Sequence, residues 1–209
     1  MEKLTEKSCA GFAAVLASKA SVPGGGGAAA LVGALGIALC SMVGNFTVGK
    51  KKYAAVEEDV KAILVQAESL RTRLLELVEA DAQAFEPLSR AYAIPKDDPS
   101  RNEVLEAVTL NACQAPAEMV KRCGEAIELL EAMEEKGSVM LISDVGCGAL
   151  LCRAAMESAA LNVFVNTKTL MDRAKAAELE EEVGAQLAQY LPRADKVAQA
   201  VTGRIRGEG

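Results

Sequence analysis

The sequence predicts an all-α protein, an up-and-down bundle of about five to seven helices. Hydrophobic residues make up 51% of the 209 residues but aromatic residues only 3%, so Ala, Leu and Val have to fill the core. The six prolines lie away from the apolar runs, where apolar residues recur at helical intervals of three and four. Strands would instead alternate Val, Ile, Tyr, Phe and Thr. We expect a single domain over residues 1–209, because a chain of this length buries a sizeable core.

The N-terminal part is predicted to contain one short helix and one long apolar helix. The short helix, residues 4–18, ends before Pro23 and four glycines, and we interpret this glycine run as a loop or hinge. In the apolar helix, residues 28–48, the uninterrupted apolar part is shorter than the roughly 20 residues that span a membrane. We therefore favour a helix buried in a soluble bundle, with Gly33 and Gly36 allowing another backbone to approach closely.

A third predicted helix, residues 53–92, carries a carboxylate inside its apolar stripe. The stripe steps by three and four from Val56 to Leu88, and Asp81 occupies one of its positions. A carboxylate in a core row has to be hydrogen-bonded, ion-paired or protonated. Asp81 is therefore the most informative single position, and a functional site or a structural bond to a hydroxyl or a helix end both explain it.

Three further helical segments complete the predicted bundle. Ser100 and Glu103 fit a capping box that opens a fourth helix, and Gly137 is its expected stop. Residues 138–166 form a second apolar segment rich in small residues, with a few polar side chains that need partners. The last helix is expected over residues 172–206, with a solvated acidic face.

Charge and residue types exclude several functions. The 23 basic and 29 acidic residues give a net charge of −6, which disfavours nucleic-acid binding. The absence of His excludes Ser-His and Cys-His nucleophile pairs and removes the commonest metal ligand. The six cysteines lack metal-site spacing, and residues 1–6 lack the pattern of a signal peptide. We therefore expect a cytoplasmic protein without a bound metal.

Five motifs occur together in a particular order. They are Val22-Pro23-Gly24-Gly25-Gly26, residues 33–43, Gly49 with the basic residues after it, residues 77–85, and Ser143-Asp144 leading to Asn162 and Asn166. Together they closely resemble the formiminotransferase-cyclodeaminase family, specifically its cyclodeaminase domain and the stand-alone cyclodeaminase or methenyltetrahydrofolate cyclohydrolase proteins. The resemblance extends over nearly the whole chain.

This resemblance implies an all-helical homodimer with folate sites associated with the dimer and no cofactor beyond the tetrahydrofolate substrate. Formiminotetrahydrofolate cyclodeaminase is the first expected activity and methenyltetrahydrofolate cyclohydrolase the second. Both reactions pass through a tetrahedral carbon between two nitrogens, and proton transfer has to accompany them. The alternative from another class is a non-catalytic helical module that binds folate or another protein, and a membrane protein ranks third.

Three residues are catalytic candidates under this resemblance. Asp81 and Asp144 are carboxylates that can stabilise a cation and take a proton, although Asp144 also suits the start of a helix. Lys51 is the candidate cation, acting as acid or base or attracting the anionic glutamate of folate. A lysine cluster that only complements the helix dipole is the simpler explanation.

The candidate substrate-binding residues fall into three groups. The glycines let a backbone approach the ligand, the lysines and the serine flank the catalytic candidates, and two asparagines four apart share one helical face. A flexible hinge and buried interhelical hydrogen bonds are the structural alternatives for the glycines and asparagines. These candidates are Gly24, Gly25, Gly26, Lys50, Lys52, Ser143, Asn162 and Asn166.

Overall fold

The computed structural model describes residues 3–208, so Met1, Glu2 and Gly209, which belong to the predicted domain, lie outside the described residues. Within this range the chain forms six α-helices and no strand, which confirms the all-α prediction. The helices are α1 (Cys9–Leu16), α2 (Gly25–Asn45), α3 (Glu57–Tyr92), α4 (Arg101–Lys136), α5 (Ile142–Thr167) and α6 (Arg173–Arg206). Short 3₁₀ helices at Leu4–Glu6, Lys51–Val56 and Val139–Leu141 precede α1, α3 and α5.

The five long helices form two layers. Helices α2 and α5 pack side by side, and α3, α4 and α6 cover one face of this pair. Each long helix contacts the next one along the chain, as an up-and-down bundle requires. The core between the layers consists of small and aliphatic side chains, with Ile37, Leu74, Leu130 and Met156 completely buried. The ends of α2 and α5 therefore lie at the two ends of the bundle.

Glycines allow α2 and α5 to approach each other closely, as the sequence predicted. A Cβ atom added to Gly36 would lie 2.6 Å from Cys152 Sγ and 3.0 Å from the carbonyl oxygen of Gly148. Conversely, a Cβ atom on Gly148 would lie 2.8 Å from the carbonyl oxygen of Gly36. The close packing offsets the unfavourable helix propensity of glycine.

Both apolar helices meet the length and composition criteria for a membrane span. Much of each segment is nevertheless buried inside the bundle. Of the most apolar stretch of 18 residues, 56% is buried in Gly25–Asn45 and 44% in Val139–Thr167. Both segments pack against helices rich in charged residues, which supports the prediction of core helices over that of membrane spans.

The structure corrects the prediction of a loop or hinge for the glycine run. Helix α2 begins at Gly25, so Gly25, Gly26 and Gly27 form its first turn and only Gly24 precedes it. The reason is close packing around this turn. A Cβ atom added to Gly26 would lie 2.4 Å from Asp81 Oδ1, and one added to Gly27 would lie 3.2 Å from Pro23 Cβ. Glycine is needed here for space within a helix and not for a flexible loop.

Other element boundaries also differ from the prediction. Residues 4–18 form a 3₁₀ turn and a separate short helix, because Ser8 accepts a hydrogen bond from the backbone N–H of Gly11 and starts α1. Helix α4 begins at Arg101, but the capping box was wrong. The Ser100 side chain makes no capping bond, and its hydroxyl donates instead to Asp98.

Candidate functional site

A cavity of about 220 Å³ lies where the N-terminus of α2, the second half of α3 and the C-terminal part of α5 meet. Its wall contains six of the residues selected from the sequence: Gly24, Gly25, Gly26, Asp81, Asn162 and Asn166. Three helices far apart in sequence thus place a carboxylate, two amides and a helix N-terminus around one space. This group of residues is called the glycine end below.

Asp81 reaches the cavity wall from α3 and lies against the first turn of α2. The N-cap residue of α2, Gly24, has no side chain to satisfy the first N–H groups of the helix, and the Asp81 carboxylate accepts the N–H of Gly27 instead. Burial raises the pKa of Asp81 above its ordinary value, and the bond from Gly27 opposes this only in part. Asp81 therefore has the structural role foreseen as an alternative, and it is also a partly buried carboxylate in a cavity whose pKa lies above its ordinary value.

Asn162 and Asn166 present their amides from one face of α5. The Nδ2 atom of Asn162 donates to the carbonyl of Ser158 at 2.8 Å, and that of Asn166 donates to the carbonyl of Ala112 on α4 at 3.2 Å. An amide that makes one such bond still has a second N–H and a carbonyl oxygen. The bonds orient both side chains, and the remaining groups suit the hydrogen-bonding edge of a planar heterocycle.

The cavity also contains residues that the sequence did not select as site residues. Phe85 lies four residues after Asp81 on α3, so the helical period places both on one face. Its exposed fraction is 38%, which only the structure reveals. The spacing of four residues from Asp81 is the signal in the sequence that could have found it. The remaining wall residues are Ser21, Val22, Ala112 and Val165.

The other sequence candidates lie at the opposite end of α2 and α5. We call this group, Lys50, Lys51, Lys52, Ser143 and Asp144, the lysine end. The three lysines follow the C-terminus of α2 and are exposed. Because α2 has 21 residues, this end is about 30 Å from the glycine end along the same chain. One chain therefore does not bring the two groups of candidates together.

The lysine end is held by contacts to the 3₁₀ turn before α5. The backbone N–H of Val139 donates to the hydroxyl of Tyr53 at 3.1 Å, and the N–H of Ser138 donates to the hydroxyl of Thr47 at 2.9 Å. The ammonium of Lys52 lies 5.5 Å from the centre of the Tyr53 ring, in a cation–π contact. Asp144 lies in the first turn of α5, where a negative charge favours the helix dipole.

The glycine end can bind and react with a small cationic or hydrogen-bonding ligand. A partly buried carboxylate stabilises a positive charge and accepts a proton, while the amides and the N-terminus of α2 orient a polar ring. Within residues 3–208, no three Cys, Asp or Glu side chains form a group that can hold a metal ion. The carboxylate, amides and helix N-terminus at this end can contribute acid–base catalysis and electrostatic stabilisation.

Comparison with known proteins gives consistent similarities. Residues 8–185 match the family model described as formiminotransferase-cyclodeaminase. The methenyltetrahydrofolate cyclohydrolase of Methylorubrum extorquens is 41% identical over 194 residues, which cover 91% of this chain and 93% of that protein. The formimidoyltransferase-cyclodeaminase of Mus musculus is 27% identical over 175 residues, and the match covers only 32% of that longer protein.

A solved structure has the same fold. The crystal structure of formiminotetrahydrofolate cyclodeaminase from Thermotoga maritima superposes with a TM-score of 0.82 at 30% sequence identity. The match covers 94% of this chain and 98% of that one.

Proposed function

Because the chain belongs to the formiminotransferase-cyclodeaminase family, we propose that it acts on a tetrahydrofolate that carries a one-carbon unit, as a methenyltetrahydrofolate cyclohydrolase. The observation that carries this proposal is the glycine end, where Asp81 shares a cavity with two asparagines and a helix N-terminus. The 41% identity to a cyclohydrolase over nearly the full length of both chains favours this reaction over the cyclodeaminase that the sequence motifs placed first.

In the proposed reaction, water adds to the methenyl carbon, which lies between N5 and N10 and belongs to an amidinium cation. Asp81 takes one proton of the water while the water oxygen forms a bond to the methenyl carbon. The product of this step is a neutral tetrahedral intermediate. The bond from the carbon to N5 then breaks, N5 keeps the electron pair and receives a proton, and the hydroxyl loses its proton to become the formyl oxygen on N10. The carboxylate also favours the cationic substrate electrostatically.

Formiminotetrahydrofolate cyclodeaminase is the second candidate, and the similarity to the Thermotoga maritima structure favours it. In this reaction N10 attacks the formimino carbon on N5 and loses its proton to a base. Ammonia then leaves after an acid has protonated it. Because the tetrahedral carbon between two nitrogens is common to both reactions, the same carboxylate is able to serve either.

One experiment separates the two reactions and the non-catalytic alternative. The purified protein is incubated with 5,10-methenyltetrahydrofolate and, separately, with 5-formiminotetrahydrofolate, while the methenyl absorbance and free ammonia are measured. Loss of methenyl absorbance above the spontaneous rate supports the cyclohydrolase, and gain of absorbance with ammonia release supports the cyclodeaminase. No turnover of either substrate, with a folate-dependent rise in the unfolding temperature, would leave only a binding module.

We also propose that the working form is a cytoplasmic homodimer joined through the outer face of α2 and α5. Residues 25–45 contain no charged side chain, and α3, α4 and α6 cover only the opposite face of the pair. Large apolar side chains on the two helices are exposed, including Leu35 at 54% and Leu150 at 51%. An apolar surface of this kind is typical of an interface.

A two-fold axis through this face would bring the two groups of candidates together. Leu35 lies midway along α2, so an axis perpendicular to the helix at this residue exchanges its two ends. The glycine end of one copy then faces the lysine end of the other. Val165, which lines the cavity and is 60% exposed, places the cavity at the edge of the same face. In this arrangement Lys51 and Asp144 act on the substrate held in the second copy.

A further inference from the structure

A larger cavity adjoins the glycine end. It has a volume of about 740 Å³ and lies between the N-terminal segment at Lys3 and the second half of α3. Ser21, Val22 and Phe85 line both cavities, so the two spaces meet along this wall. At about 220 Å³, the cavity at the glycine end is smaller than the roughly 300 to 1,000 Å³ of sites that enclose a whole ligand. A ligand of ordinary size bound there has to extend beyond it.

The larger cavity offers an aromatic side chain and cations in a definite order along α3. Phe85 lies at the junction, and Arg90 lies five residues further along the helix, with Lys3 on the wall formed by the N-terminal segment. From Asp81 to Arg90 the helix rises by about 14 Å. Because nine residues also turn the helix by about two and a half turns, Asp81 and Arg90 leave different sides of α3. A molecule that reaches both therefore runs obliquely around the helix and passes the Phe85 ring where the two cavities meet.

Two carboxylates also line this cavity, but both already have partners. Glu79 accepts hydrogen bonds from the backbone N–H of Thr5 at 3.0 Å and from its hydroxyl at 3.4 Å. Glu86 pairs with Arg90 one helical turn away, and the Arg90 and Glu86 side chains are 77% and 60% exposed. Such an exposed pair contributes little to stability, and a guanidinium has donors for a second carboxylate.

Resting on the function proposed above, we propose that the larger cavity binds the p-aminobenzoylglutamate arm of the folate. The pterin then occupies the cavity at the glycine end, the benzoyl ring lies against Phe85, and the glutamate carboxylates bind Arg90 and Lys3. This arrangement matches the apolar ring and the anionic end of the arm with an aromatic side chain and two cations. In this arrangement one chain binds both the pterin and the arm of the same folate.

A binding experiment tests the arm site without depending on turnover. Dissociation constants are measured by calorimetry for 5-formyltetrahydrofolate and for 5-formyltetrahydropteroate, which lacks the glutamate. We expect the native protein to prefer the folate and Arg90→Gln to weaken folate binding by about tenfold, because a charge-assisted hydrogen bond is lost. Binding of the pteroate should not change. Phe85→Ala should weaken both ligands, since both contain the benzoyl ring.

Arg71→Gln is the matched control, because Arg71 also lies on α3 and pairs with a glutamate one turn away, Glu68, outside both cavities. It should leave both dissociation constants unchanged. If Arg90→Gln weakens both ligands alike, or neither, the arm site is wrong. It is also wrong if Lys52→Gln removes the preference for folate while Arg90→Gln keeps it, since the glutamate then binds at the lysine end. If the protein turns over neither substrate but still prefers the folate in a way that depends on Arg90, the proposed reaction is wrong and the arm site is right.

Discussion

Replacing Asp81 by Asn separates the structural role of this side chain from its proposed chemical role. The amide keeps an oxygen that can accept the N–H of Gly27, so the bond to the first turn of α2 is preserved. It has no negative charge and cannot take a proton from water. Loss of a positioned general base commonly lowers the rate by about 100-fold to 10,000-fold, and we expect turnover to fall by at least about 100-fold.

The stability of Asp81→Asn follows from the direction of the pKa shift. Because burial raises the pKa of Asp81 above 3.8, the folded protein binds this proton more tightly than the unfolded chain does. The resulting stabilisation is fully present below the unfolded pKa and is lost as the pH rises through the folded pKa. At neutral pH the ionised carboxylate therefore destabilises the fold relative to a neutral group. Asp81→Asn should unfold at the same temperature as the native protein or at a higher one.

The assay combines turnover with thermal unfolding, each measured across a pH series. The native protein should lose activity as the pH falls through the raised pKa of Asp81, because the base becomes protonated, and the variant should lack this limb. Asp81→Ala, which removes the partner of the Gly27 N–H as well, should cost about 1 kcal/mol of stability. Native turnover in a well-folded Asp81→Asn protein would refute the catalytic role, and Asp144 would then be the leading candidate. Joint loss of stability and activity would show that the amide does not replace the carboxylate in the fold, so that the lower activity follows from unfolding.

Three further substitutions test the packing and the proposed dimer. Gly26→Ala places a Cβ atom 2.4 Å from Asp81 Oδ1, so the carboxylate must move, and we expect turnover to fall by about 100-fold; unchanged kinetics would contradict the geometry. Gly36→Leu should overpack the contact between α2 and α5 and destabilise by roughly 1 to 3 kcal/mol in a denaturant titration, whereas an unchanged midpoint would argue against it. Leu35→Glu should break the proposed dimer into inactive monomers, with the mass measured by light scattering. Val65→Glu, at an exposed apolar position on α3, is the control and should leave the dimer intact. A native protein that is monomeric and fully active would exclude a shared site.

The sequence alone determined the helical class, the order of the long helices and the close packing of the small-residue helices. These properties depend on local propensity and on the period of apolar residues, which a single chain displays directly. Asp81 also stood out locally, because a carboxylate in an apolar stripe requires an explanation wherever the stripe packs. The two asparagines were selected by their spacing, and the structure shows why it matters: both amides face one cavity from α5.

Only the tertiary structure decided what the glycine run does. In isolation, Pro23 and the glycines after it indicate a flexible segment, because glycine disfavours helices. In the folded protein Asp81 supplies the missing partner at the start of α2, and its carboxylate leaves no room for a side chain at Gly26. Residues more than 50 positions apart thus meet at the first turn of a helix, where the sequence alone predicted a loop.

The grouping of the site residues was likewise a matter of tertiary structure. Motifs in sequence order carry no distances, so Asp81, Lys51 and Asp144 were equally plausible neighbours until α2 and α5 were placed side by side. A rigid helix of 21 residues keeps its two ends about 30 Å apart, which separates the lysine end from the glycine end within one chain. The second cavity, which Phe85 and Arg90 line, likewise exists only because the N-terminal segment at Lys3 and Leu4 packs beside α3.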